Sequence, residues 1–184
     1  MLKGQKVVLR EKSLEDATND YAWRCDDELA RLDGAPTMRI PFADFLASYV
    51  DELRNPSPGR RRFAIDTVYG KHIGNCMYYD IDEGKGQAEL GIMISDRDYW
   101  NQGYGTDAIT TLLDHIFNTT KLDRIYLNTL EWNVRAQRCF EKCGFVLCKR
   151  QRRYNGDFIV MEIYRSSWQK DREGTQALKR EQEG

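Results

Sequence analysis

The chain has 184 residues, 41% hydrophobic and 31% charged, with a formal net charge of -1. This composition fits one globular domain with a sizeable core, and the balanced charge leaves no electrostatic footprint for nucleic acid or an anionic membrane. No apolar run approaches the ~20 residues that span a bilayer, and the opening Met1-Leu2-Lys3-Gly4-Gln5-Lys6 lacks a signal-peptide core, so a cytoplasmic protein is expected. The cysteines are Cys25, Cys76, Cys139, Cys143 and Cys148, an odd and scattered set without a CxxC pair, which suggests reduced thiols. Cys139 and Cys143 have the core spacing of a helix, and neither His72 nor His115 lies near them in sequence, so no metal site is expected.

Val7-Val8-Leu9-Arg10 reads as a first strand. Ser13 then reads as the N-cap of a helix carrying Ala17, Tyr21, Ala22 and Leu29, with Asp16 in its first turn. After a loop punctuated by Pro36 and Pro41, apolar spacing predicts a helix from Phe42 to Leu53, ended by Asn55-Pro56-Ser57-Pro58-Gly59. Three strands follow, Arg62 to Val68, His72 to Tyr79 and Gln87 to Ser95, as an antiparallel meander with turns at Tyr69-Gly70-Lys71 and within Asp82 to Gly86. A helix from Gly105 to Phe117 buries Ala108, Ile109, Leu112, Leu113, Ile116 and Phe117 on one stripe. Beyond it lie a strand from Arg124 to Leu130, a helix from Asn133 to Cys143 closed by Gly144, and strands Phe145 to Lys149 and Phe158 to Tyr164 around an Asn155-Gly156 turn. The expectation is one α+β domain over 1–168, a mostly antiparallel sheet with helices packed on it, followed by a charged, flexible tail over 169–184.

The chemistry concentrates where the strand Glu89 to Ser95 runs through Asp96 to Gln102 into Gly103-Tyr104-Gly105-Thr106-Asp107-Ala108. Glycines opening a helix let a ligand approach the backbone, and the free amides of the first turn, aided by the helix dipole, suit a pyrophosphate. Gly103 and Gly105 could also simply shape a turn; beyond that, two ligand classes compete for the pattern. The segment matches GxGxxA, and Glu131 ends the next strand, about where a dinucleotide-binding fold carries its ribose acid. That fingerprint, however, should follow directly from its strand, whereas Asp96 to Gln102 intervene, and the upstream meander is not a series of βαβ units.

The second class rests on a resemblance. Tyr99-Trp100-Asn101-Gln102-Gly103-Tyr104-Gly105-Thr106-Asp107-Ala108 resembles the acetyl-CoA loop of the GNAT acetyltransferase superfamily, Q/R-x-x-G-x-G/A. Trp100 stands at the Q/R position, as in the branch of the ribosomal-protein alanine and spermidine acetyltransferases. Asn133 to Phe145 resembles the family's N-x-x-A-x-x-x-Y-E-K-x-G-F, and the order of elements agrees from Val7 to about Tyr164. The resemblance implies a GNAT-like fold, its central sheet splayed at a bulge with helices on both faces. It implies direct acetyl transfer from acetyl-CoA to a primary amine acceptor (a polyamine, a small amine or a protein or peptide N-terminus), without a metal, and allows a homodimer. By the same match, Ile92, Met93 and Ile94 offer backbone groups to the pantetheine arm, and Asn101, Gln102, Gly103, Tyr104, Gly105 and Thr106 hold the pyrophosphate.

Asn133 contacts the arm or simply caps its helix, and Arg138 or Lys142 approaches the phosphates or forms a solvated face. The Met93 amide matches the oxyanion donor, and Glu89 matches an acidic position near the acceptor amine, as a base, as an electrostatic anchor, or as a rim salt bridge. Phe140 departs from the family, because it stands where many relatives carry a tyrosine acid; Cys139, one helical step of ~100° away, is a poor substitute. A CoA-binding protein without turnover therefore stays open beside the enzyme. The acid-rich set Asp26, Asp27, Glu28 and Asp33 suits a cationic acceptor or an exposed helix face, and Trp23, Tyr78 and Tyr79 are candidates to line its pocket.

Overall fold

The structure, a computed structural model, describes residues 1–153 and 156–170. Strands β1 (Leu2–Lys3), β2 (Val7–Glu11), β3 (Arg60–Thr67), β4 (His72–Asp82) and β5 (Gln87–Ile94) pair antiparallel in chain order. Helix α4 (Tyr104–Thr119) then crosses over, so β6 (Arg124–Leu130) lies parallel to β5. The last strand, β8 (Gly156–Tyr164), sits between β6 and the edge strand β7 (Val146–Arg153). One parallel contact in an eight-stranded sheet is incompatible with the doubly wound dinucleotide fold. Tyr154 and Asn155, where the Asn155-Gly156 turn was expected, lie outside the described residues, as does most of the expected tail, 171–184.

The parallel contact is short, and that shapes the site. Gln87, Ala88 and Glu89 pair with Arg124, Ile125 and Tyr126. Beyond them β5 stays with β4 as far as Ile94, while β6 follows β8 as far as the Leu130–Phe158 pair. The two strands therefore part into a V-shaped cleft. The register irregularity accompanying this splay is in β4, where Asp80 (φ 49°) and Ile81 oppose the single residue Ala88; β5 itself keeps one register from Glu89 to Ile94.

Helices cover both faces. On one, α4 buries Ile109, Leu112, Leu113 and Ile116 completely, and α5 (Val134–Lys142) adds Phe140 to the same core. The other carries α1 (Ala17–Arg24), α2 (Asp27–Asp33) and α3 (Phe42–Arg54). Adjacent residues of β3 show the division: Arg62 meets Tyr49 and Glu52 of α3, whereas Phe63 packs edge-on against His115 of α4. The helix expected to run through Leu29 is two helices, because the Asp26 side chain accepts the Leu29 amide at 3.0 Å and starts a new one. A buried ionic network bolts the α1 segment to the sheet. Arg10 bridges Asp16 and Asp66, while Lys12 meets Asp20 at 2.8 Å, which also accepts from Tyr49 and Asn75. A helical turn over 165–170 buries Trp168 against Phe117.

Candidate active site

The loop between β5 and α4 is built to present backbone amides. Asn101 (φ 57°) and Gly103 (φ 84°) both take left-handed conformations, and Gly103 caps α4 without any side chain. The amides of Tyr104, Gly105 and Thr106 are thus left for an anion at the positive end of a 16-residue helix. Gly105 is needed for another reason: a Cβ there would lie 3.3 Å from the Cys139 sulfur of α5. The loop is anchored to the N-terminal strands. Asp107 accepts the amides of Gln5, Lys6 and Val7 at 2.7–3.1 Å, and the Lys6 ammonium donates to the Gln102 carbonyl at 2.8 Å. Lys6, which the sequence reading did not single out, adds a cation beside the glycine turn.

Trp100 locks the same loop to β5 and to α5. Its indole N–H donates to the Ile94 carbonyl at 2.6 Å, and the Arg135 guanidinium stacks over its ring at 3.6 Å. Of the α5 arginines it is Arg135 that meets the loop. Arg138 is exposed and has no hydrogen bond or ion pair among the described residues. Burial depresses the Arg135 guanidinium pKa, a cost that Glu28 only partly offsets.

Strand alternation decides which β5 groups face the cleft. The Ser95 amide donates to Ile73 at 2.8 Å, and the register carries that exchange to the pairs Asn75–Met93 and Met77–Gly91. A Cβ on Gly74 would collide with the Met93 carbonyl, which puts that oxygen on the β4 side, where strand geometry turns the N–H of the same residue as well. The Met93 amide, expected as the oxyanion donor, is therefore spent on β4. The groups turned into the cleft are the N–H and C=O of Ile92 and the N–H of Ile94, whose carbonyl Trp100 already occupies. An extended ligand entering as an extra strand would find its donors there.

A groove of about 570 Å³ opens on the opposite side of the sheet and runs into the cleft; Glu89, Ile92, Asn133 and Phe140 line its inner end. Glu89 belongs to the last paired step before the strands part. Its Oε1 accepts the Tyr79 hydroxyl at 2.7 Å and the Asn128 amide at 2.8 Å, and Arg153 donates to Asn128 Oδ1 at 2.8 Å. The chain Arg153–Asn128–Glu89 thus orients the carboxylate and leaves Oε2 without a partner among the described residues. Burial, together with the adjacent Glu89 carboxylate, pushes the Tyr79 pKa up, so the phenol stays protonated and donating. Among the described residues Glu89 has no ion-pair partner, and both groups on Oε1 are neutral donors. Asn133 is the N-cap of α5, accepting the Ala136 amide at 3.3 Å, and its side-chain NH2 remains for a ligand.

The other expectations divide. Trp23 and Tyr79 line the groove, whereas Tyr78 is buried in the core beneath the sheet. Asp26 and Glu28 clamp Arg97, and Asp27 pairs with Arg39, so of the acidic set only Asp33 reaches the groove. Phe140 packs edge-on against Phe145 with 8% exposure, and Cys139 turns away to the Thr106 hydroxyl at 3.5 Å. Tyr79 is expected only as a pocket lining, and Asn128 and Arg153 are not singled out by the sequence, because three distant segments meet only through strand pairing.

This arrangement has counterparts. The acetyltransferase (GNAT) domain model matches residues 6–146. The spermidine N(1)-acetyltransferase of Vibrio cholerae is 30% identical over 109 residues, 58% of this chain and 61% of that protein. The spermine/spermidine N(1)-acetyltransferase of Bacillus subtilis is 29% identical over 98 residues, 50% of this chain and 64% of that protein. The matched segments thus cover less than two thirds of either enzyme. In three dimensions it superposes on Vibrio cholerae spermidine N-acetyltransferase in complex with CoA and spermine with a TM-score of 0.78, at 22% identity, over 89% of this chain and 98% of that one. For aminoglycoside acetyltransferase AAC(6')-Ib in complex with coenzyme A, the TM-score is 0.74 at 21% identity, over 90% and 99% of the two chains. Since the family model takes in the splayed strands, the uncapped α4 and the α5 motif in one continuous match, this chain belongs to the GNAT acetyltransferase family.

Proposed function

We propose that this protein transfers an acetyl group from acetyl-CoA to a primary amine that docks at Glu89. The observation that carries the reading is the position of Glu89: an oriented carboxylate with one oxygen unpartnered among the described residues, at the apex of a cleft whose opposite end is a helix start without a side-chain cap. Gln102, Gly103, Tyr104, Gly105 and Thr106 bind the pyrophosphate through backbone amides, with Lys6 adding charge. Ile92 and Ile94 hold the arm as a neighbouring strand would, and Asn133 adds an amide donor. Glu89 draws in the ammonium and accepts its proton, directly or through a water, which frees the nitrogen lone pair. The Ile92 amide meets the carbonyl oxygen as negative charge develops on it, the role first given to Met93. Fixing amine and thioester in register provides much of the rate.

The acceptor we favour is a cationic amine of the polyamine class. Supporting it are the curated relatives named for spermine and spermidine, and the carboxylates of Asp33 and Glu89 in the groove. The activity is assigned to 1–168, with 169–184 as an appended charged tail, and to a cytoplasmic protein with reduced thiols that is free to dimerise. Release of CoA thiol should be measured with polyamines, aminoglycosides and peptide N-termini, beside thermal shifts with CoA and NAD. Turnover fastest with a polyamine is the expected result. A clear CoA shift with no turnover on any amine would instead make this a CoA-binding protein without catalysis.

A further inference from the structure

Phe140 leaves the departing sulfur without the phenol that many GNAT relatives place there, and the cleft contains a different hydroxyl. Extending the last paired step, Glu89–Tyr126, along both strands puts Thr129 of β6 across the cleft from Ile92 of β5. Thr129 pairs with Ile159, a residue of the core shared by α4 and α5, and Ile92 packs against that same core. Both side chains therefore lie on the Phe140 face of the sheet, and all three residues line the inner groove.

Thr129 is only 7% exposed, yet its hydroxyl has no hydrogen-bond partner among the described residues. No fully enclosed side-chain polar atom among those residues lacks a partner, so this hydroxyl keeps accessible surface, and the groove that Thr129 lines is the space beside it. Ser95 is 3% exposed and also lines the groove, but it shares the opposite face of β5 with Glu89 and Met93. The Asn133 side chain is tied by its cap and serves the arm.

We infer that the Thr129 hydroxyl is the hydrogen-bond donor to the thioester sulfur as it leaves, filling the role that Phe140 vacates. The inference rests on the acetyl-transfer reading. In that reaction the amine nitrogen bonds to the carbonyl carbon, and the carbon–sulfur bond breaks with its electron pair going to sulfur. One N–H proton leaves through Glu89 or water, and one proton reaches the sulfur from solvent along the hydroxyl, giving an amide and a thiol. An alcohol is too weak an acid to lose its proton outright, so Thr129 passes one on only as it receives another.

Thr129→Val keeps the shape and removes the donor; Thr129→Ser keeps the donor. Hydrogen bonds to charged groups are strong enough that kcat should fall roughly 10- to 100-fold in Thr129→Val, with KM for acetyl-CoA within roughly threefold. Thr129→Ser should stay within roughly threefold of the parent, and adding Phe140→Tyr to Thr129→Val should restore turnover. Equal CoA thermal shifts show that the variants fold. A second readout needs no turnover: ultraviolet titration of the CoA thiol in the complex, whose pKa should be higher in Thr129→Val than in the parent. Undiminished kcat in Thr129→Val, an equal loss in Thr129→Ser, or an unshifted thiol titration overturns the inference. Absent turnover in the parent overturns the acetyl-transfer reading instead, and the thiol titration then decides on Thr129 alone.

Discussion

Replacing Glu89 by glutamine removes a charge while leaving almost everything else in place. The two donors that orient the carboxylate, Tyr79 at 2.7 Å and Asn128 at 2.8 Å, both bond to Oε1, which an amide oxygen replaces without moving. The new NH2 takes the place of Oε2, which has no partner among the described residues, so no packing or hydrogen bond is lost. Stability should therefore change by less than about 1 kcal/mol. Catalysis should not survive so well, because a general base in reach of the amine is worth roughly 10²- to 10⁴-fold. Steady-state thiol release with the best amine, beside thermal unfolding with and without CoA, separates the two effects. The expected outcome is kcat/KM reduced by at least roughly 100-fold, with an unchanged melting temperature and an unchanged CoA shift. A Glu89→Gln enzyme within threefold of the parent would refute the base assignment and leave Glu89 as a structural anchor.

Three further outcomes are expected. Asn128→Leu breaks the link between Arg153 and Glu89 and should lower kcat by roughly tenfold; combined with Glu89→Gln it should cost nothing more, since residues acting as one unit are non-additive. Additive losses would separate the two. Gly74→Ala forces a methyl group into the Met93 carbonyl, so overpacking of about 1–3 kcal/mol should lower the melting temperature by roughly 2–12 °C and weaken CoA binding through β5. A variant melting within about 1 °C of the parent would contradict the strand register. Burial opposes ionisation of Asp16, but Arg10 overcomes it and holds the carboxyl at about 2, below its ordinary 3.8. Because the folded value is the lower one, the unfolded chain binds more protons in that window. Asp16 should contribute about 1–2 kcal/mol that is fully present above about pH 5 and is lost as the pH falls through about 2. Denaturant titrations should find this acid slope shallower in Asp16→Asn, and an equal slope would assign it to other carboxylates.

Much of the site could be read locally. The glycines at 103 and 105, the helix they open and the capped motif beginning at Asn133 are short-range features, because a helix start, a left-handed turn and a cap depend on neighbours within a few residues. Strand alternation and turn chemistry likewise placed most of the meander. Boundaries drifted where length came from pairing: β4 extends to Asp82 and β7 to Arg153 because partner strands continue to offer hydrogen bonds.

Tertiary structure alone decided the chemistry within the cleft. Whether Met93 or Ile92 turns its amide inward depends on a register set by Ser95 against Ile73, and a one-residue change reverses every group along the strand. The partners of Glu89 come from positions 79, 128 and 153, and no local pattern links them. The acids of α2 looked like a cationic-substrate surface in the sequence, and in the fold Asp26 and Glu28 are spent on Arg97. Sequence by itself determined which segments could bind a phosphate and pack a core, since both follow from local backbone and side-chain spacing. Which polar groups remain free for catalysis was settled only when long-range pairing had consumed the rest.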